Sequence, residues 1–306
     1  MRRFLAILLF GSAACGSHVS NEELEARMPE PPARPKTARG ARAIDIDWDP
    51  NGLAWDVGER ALYAVDQTGN RLMRWTDRRG FQVAAALPKG KGAGRPALGG
   101  VARLADGRTL VARSGSGKDG TLILLSEVRG AETLADLPGD RRRAGVAVAP
   151  SGAIYVVSSS GGKGRTRGHL SRINLDEASE TDLSVDELER PVGVAVVGDV
   201  LYVSDQARGE IVALSLDPPG SAHPVAQLKS PDMMAPGPTG SLLVASKTGA
   251  VWQFTAGDGR LTRLLTSRSE VRGIAYDPVG KRMFFVEHDP DPSDGVEHRL
   301  QIVPLR

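Results

Sequence analysis

Pro50-Asn51-Gly52-Leu53-Ala54-Trp55-Asp56 is a short apolar run that closes on turn-forming residues, and its middle phrase returns along the chain. The copies are Gly52-Leu53-Ala54, Gly100-Val101-Ala102, Gly145-Val146-Ala147, Gly193-Val194-Ala195, a degenerate Met233-Met234-Ala235, and Gly273-Ile274-Ala275. Their first members are 48, 45, 48, 40 and 40 residues apart. A period of about 40–50 residues marks a repeated supersecondary unit, here one holding several short strands.

The first unit gives the grammar. After a strand opened by the phrase comes Ala61 to Asp66, rich in residues that suit a pleated surface. Gln67-Thr68-Gly69-Asn70 reads as a hairpin turn, Arg71 to Trp75 alternates polar and apolar, and Phe81 to Leu87 supplies a fourth strand. Second strands recur at Thr109 to Ala112, Ile154 to Val157, Leu201 to Ser204, Leu242 to Ala245 and Met283 to Val286. Four antiparallel strands taken six times predict an all-β, six-bladed propeller over residues 42–306, which hides its strand edges by radial closure. The sixth unit ends at Arg306 after its third strand, so the alternating stretch at about 42–48 is predicted to close it as the outer strand.

Ahead of this domain, Arg2-Arg3 followed by the apolar Phe4 to Phe10 reads as a signal peptide over residues 1–14, too short to span a bilayer. Cys15 is the single cysteine and follows Ser12-Ala13-Ala14. The placement resembles a bacterial lipobox, which implies lipid attachment at Cys15 and, with Gly16 next, retention at the outer membrane on its periplasmic or surface side. Residues 15–41 are proline-rich and charged, and read as a tether. A formal net charge of +2 argues against a general nucleic-acid binder.

Pro50 to Asp56, together with Leu62 to Asp66 and Gly69-Asn70-Arg71-Leu72, is similar to the gluconolactonase/senescence-marker-like propellers and the related NHL repeats. Val203-Ser204-Asp205 echoes it. The resemblance implies a divalent metal at the mouth of the central channel, held by a carboxylate and asparagines from several blades. Calcium or another divalent cation would suit such oxygen ligands. The residue preceding each phrase points near that mouth: Asn51, Gly99, Ala144, Val192, Asp232 and Arg272. Only Asn51 and Asp232 match the implied ligand pattern, and Ile44 to Trp48 offers just Asp45 and Asp47. The alternative is structural: Asn51 caps a turn and Arg272 pairs with Asp232. A third reading is a metal-free ligand pocket at Asn51, Asp232 and Arg272.

Two further features are set out by the strand order. Basic, glycine-rich loops carry Lys89, Lys91 and Arg95, then Lys118, then Lys163, Arg165 and Arg167, and emerge on the mouth face of blades one to three. Such loops can bind anions through backbone amides and cations. In blade six, Glu287 to His298 brings His288 and His298 near each other across a hairpin and offers a metal-binding loop; a solvated loop is the alternative. No nucleophile elbow is present, and the histidines show no spacing of a catalytic triad. Tyr63, Tyr155 and Tyr202 share one strand position, which reads as packing between blades. The combined expectation is a monomeric, lipid-anchored envelope module with no resident cofactor, binding an anionic ligand or a protein at the channel mouth. A metal-dependent lactonase-like hydrolase is the alternative.

Overall fold

The computed structural model describes residues 40–90, 97–115, 119–134, 137–161, 166–183, 185, 188–216, 220–292 and 294–305. Cys15, Lys91, Arg95, Lys118, Lys163 and Arg165 lie outside the described residues. Six four-stranded antiparallel sheets follow one another around a closed ring. Blade one consists of β2 (Pro50–Asp56), β3 (Ala61–Asp66), β4 (Arg71–Thr76) and β5 (Gly80–Ala86). The inner strands of the next five blades are β6 (Leu98–Arg103), β10 (Arg142–Val148), β14 (Pro191–Val197), β18 (Pro231–Pro236) and β22 (Glu270–Asp277). The repeat phrase therefore lies inside each inner strand rather than opening it. Blade six is closed as the sequence predicts: β1 (Arg42–Ile46) pairs antiparallel with β24 (His298–Pro304), Ile44 facing Leu300. Between them and the inner strand lies β23 (Arg282–His288). Among the described residues no helix is long and apolar enough to cross a membrane.

The blades stack because each second strand is apolar on both faces. Leu62 and Ala64 join a core shared with blade six, whereas Ala61, Tyr63 and Val65 join one shared with blade two. Blades six and one meet on the most aromatic seam. Trp55 stacks on Phe284 at 5.1 Å, Trp75 meets its edge at 5.6 Å, and Arg282 lies over all three rings. Removing the fully buried Phe284 ring would cost about 3–5 kcal/mol. The tyrosines are packing residues: Tyr63 and Tyr155 belong to inter-blade cores, and Tyr202 meets Phe254 edge-on at 5.9 Å.

The repeated glycine has a steric cause. A Cβ on Gly52, Gly145, Gly193 or Gly273 would meet the carbonyl oxygen of Gly99, Val192, Asp232 or Asn51 respectively, and one on Gly100 would meet Val146 N at 2.9 Å, each on the next inner strand around the ring. Inner strands converge so closely there that backbone touches backbone, and only glycine leaves room. Blade five, with Met233, departs from this rule.

Candidate functional site at the channel mouth

Every inner strand breaks register at one place. The shifts fall between Pro50 and Leu53, Leu98 and Val101, Arg143 and Gly145, Pro191 and Gly193, Pro231 and Met234, and Val271 and Ile274. Each brackets the residue singled out by sequence. A bulge re-aims the side chain it carries, and here all six line one cavity of about 640 Å³: Asn51, Gly99, Ala144, Val192, Asp232 and Arg272.

Two further columns run beside this ring. Strand alternation puts the residue two places earlier on the same side, giving Asp49, Ala97, Arg142, Arg190, Ser230 and Glu270. Of these, Ala97, Arg142 and Arg190 also line the cavity. Opposite that column lie Gln67, Ser114, Ser159, Gln206, Lys247 and His288, each joined to its partner by a backbone hydrogen bond or ladder pairing. The first five line the cavity too. Ala97, Ser114 and Thr166 bring the three basic loops to this rim. Within those loops Lys89 and Arg167 are exposed.

Asp232 is the carboxylate among the lining residues, and it is 3 % exposed. Its Oδ1 accepts from the Met233 N–H at 2.9 Å, while Lys247 Nζ lies 3.7 Å from Oδ2. Burial pushes the carboxyl above the ordinary range, against the opposing pull of Lys247 and the Met233 amide. Arg272 does not pair with Asp232. It reaches Asp49 at 3.4 Å and Glu270 at 3.2 Å, because both carboxylates sit in the neighbouring column on its own side. Asn51 caps no turn either: its Nδ2 donates to Leu98 O at 2.9 Å and ties blade one to blade two.

These groups fit a central divalent ion poorly. Asp232 has one oxygen on an amide and the other beside an ammonium, and four cations line the same cavity: Arg142, Arg190, Lys247 and Arg272. Gly99, Ala144 and Val192 add no side-chain ligand. Asp45 and Asp47 are exposed, and Asp45 pairs with Arg299 at 3.2 Å. A hard cation needs several oxygens with compensating charge, and this mouth has the opposite sign. Arg142 and Arg190 are exposed, lie on adjacent blades, and form no ion pair among the described residues.

The histidines show no catalytic-triad spacing in the sequence, yet the structure gives His169 partners. His169 Nε2 lies 2.7 Å from Ser160 Oγ, and its Nδ1 lies 3.6 Å from Asp182. Asp182 is committed to Arg141, which with Ser171 holds its carboxyl down at about 2. Neither Ser160 nor His169 belongs to the cavity lining, so the trio is part of an ion network within blade three. In blade six, β23 and β24 pair His288 directly with His298. The sequence anticipates that proximity. It gives no sign that Asp49, from the start of the ring, would join the pair.

Solved structures with the same fold include a gluconolactonase from Xanthomonas campestris, 20 % identical over 88 % of this chain and 91 % of its own, at a TM-score of 0.68. A calcium-binding protein, regucalcin, from Agrobacterium tumefaciens is 17 % identical over 83 % and 89 %, at 0.65. A luciferin-regenerating enzyme is 14 % identical over 87 % and 96 %, at 0.68. No curated protein matches the chain in sequence. At these identities the likeness establishes the fold alone. The SMP-30/gluconolactonase/LRE-like model matches residues 50–283, nearly the whole ring from blade one into blade six, and the chain belongs to that family.

Proposed function

We propose that this protein is a cell-envelope binding module that takes a small carboxylate or phosphate anion at the channel mouth without transforming it. The observation that carries the reading is the pair Arg142 and Arg190, exposed in the cavity lining and unpaired among the described residues. Each hydrogen bond from a guanidinium to an anion contributes about 1.5–3 kcal/mol. Lys247 and Arg272 add positive potential, although Asp232, Asp49 and Glu270 partly offset them. Titration calorimetry with gluconate, citrate and inorganic phosphate tests the proposal. Binding of at least one anion is expected, weakened about 10-fold or more in Arg142→Gln/Arg190→Gln and reduced by salt. If no anion binds, or the double substitution leaves binding unchanged, the reading is wrong.

Membership of a family that includes gluconolactonases favours a second reading, lactone hydrolysis. Asp232 is the acid–base group this cavity offers, since its buried carboxyl is shifted toward neutrality. An aldonolactone assay on purified protein, with and without chelator and with Asp232→Asn, separates the two. Turnover that disappears in Asp232→Asn would replace binding by hydrolysis. For location, the support is the sequence: Arg2-Arg3, the apolar run and Cys15. Cys15→Ser is expected to move the protein from the membrane to the soluble fraction, and persistence in the membrane would reject the anchor.

A further inference from the structure

We infer that blade six carries a transition-metal site of the zinc class, built from His288, His298 and Glu297 at the rim of the channel mouth. The inference does not depend on what the central cavity binds.

The geometry starts from strand register. His288 ends β23 and His298 begins β24, and the two are direct partners across the ladder. Their rings stack with centroids 4.9 Å apart and planes 23° from parallel, which brings the two Nδ1 atoms to 3.3 Å. Two neutral imidazoles in that position need either one N–H facing one lone pair, or both lone pairs turned on a shared cation. Glu297 supplies the third donor. Its Oε1 lies 3.5 Å from His288 Nδ1 and 3.6 Å from His298 Nε2. The donor atoms of the three residues fall within 4.8 Å of one another. Bonds of about 2.0–2.2 Å to a tetrahedral ion place neighbouring ligand atoms about 3.3–3.5 Å apart. The two Nδ1 atoms and the contact of His288 Nδ1 with Glu297 Oε1 already have that spacing, and since one ring nitrogen serves one ion, the exposed Glu297 side chain must turn toward His298 Nδ1 to close the site.

The surroundings are ordered for this. Asp49 Oδ1 is 3.9 Å from His298 Nε2, and it is held by Gln67 at 3.2 Å and by Arg272. Arg272 in turn clamps Glu270, the ladder partner of His288. Outer groups of this kind fix ligand orientation. The loop is pinned shut, with the Asp289 N–H donating to Glu297 O at 2.8 Å. Two nitrogens and one carboxylate select zinc, copper, nickel or iron over calcium and magnesium. Three protein ligands leave a position open to water.

The repeat explains why, among the described residues, blade six carries the site. His288 occupies the column filled by Gln67, Ser114, Ser159, Gln206 and Lys247 in the other blades, none of which is a soft-metal ligand.

The test uses the full chain, stripped with chelator and titrated with Zn2+ against a chromophoric competitor. One equivalent is expected to bind, and Co2+ in its place is expected to give the intense visible bands of a four-coordinate ion. His288→Asn and His298→Asn should each weaken Zn2+ by at least about 10-fold, with unchanged far-ultraviolet circular dichroism. Asp232→Asn, which alters the central cavity, should leave Zn2+ binding unchanged. Absent binding, a weak octahedral Co2+ spectrum, or binding that survives both histidine substitutions overturns the inference. Loss of Zn2+ only in Asp232→Asn also overturns it and returns the ion to the channel centre.

Discussion

Gly145→Ala tests the steric account of the repeat phrase most directly. A Cβ there would stand 2.6 Å from Val192 O, 3.0 Å from Val157 Cγ2 and 3.2 Å from Val194 N. Two of those atoms are backbone of the next inner strand, so no rotamer change relieves them. Blades three and four would have to part by roughly 0.8 Å to restore ordinary contact, loosening the core that Val157 and Val194 share. Overpacking of this kind costs about 1–3 kcal/mol, and the loss of backbone freedom in the unfolded chain returns about 0.4–1 kcal/mol. The net is about 1.3 kcal/mol. For a domain of this size that lowers Tm by about 3–5 °C. Thermal unfolding followed by circular dichroism measures it, with Gly257→Ala as control because nothing lies within 4 Å of its added methyl. An unchanged Tm in Gly145→Ala, or an equal drop in Gly257→Ala, would refute the convergence argument.

Three further outcomes are expected. Asp232 has a folded-state pKa raised by burial, so the wild-type protein loses stability relative to Asp232→Asn as pH rises from about 4 through that raised value. Urea midpoints of the two should converge near pH 4 and separate toward pH 8; a constant gap contradicts the assignment. Glu180 is paired with Arg143, whose side chain is fully buried, so Glu180→Ala strands a charge and costs about 3–5 kcal/mol. Arg143→Met/Glu180→Leu should recover much of that loss in the same urea titration. Asp182 is held at about 2 chiefly by Arg141, and the stability it contributes is lost as pH falls toward that value. Carbon-detected NMR titration of Arg141→Gln should show it returning to the ordinary carboxylate range.

Blade number, strand order and the closure by Arg42–Ile46 were legible because they follow from periodicities of two and of about 40–50 residues, which survive in a single sequence. The ring of Asn51, Gly99, Ala144, Val192, Asp232 and Arg272 was legible for the same reason, since each precedes a phrase that marks a bulge. Partners were less so. Arg272 was expected to meet Asp232 across the ring, yet Asp49 and Glu270 lie nearer on its own side. Arg142 and Arg190 went unread although alternation alone, two places before the ring residue, would have found them. Lys247 and His288 required the ladder partner of that same position, which depends on the bulge register and cannot be counted off directly.

The phrase and the columns beside it are bound by opposite constraints. Wherever glycine stands in the phrase, its missing side chain makes room for backbone of the next inner strand, so that position answers to closure of the ring. Ring residues and their two flanking columns contribute backbone to that closure, and several of their side chains, Arg142 and Arg190 among them, are exposed. Charge at those exposed positions can change with little effect on the fold. This chain uses the freedom unevenly. Blades three and four present Arg142 and Arg190, whereas blades six and one present Glu270, Asp49 and the His288–His298 pair. On the two proposals together, the anion would sit at blades three and four and the metal ion at blade six, with Lys247 and Arg272 lining the cavity between them. The family fold can be kept in full while the residues at its mouth change, because ring closure rests on backbone atoms and ligand contact on side chains.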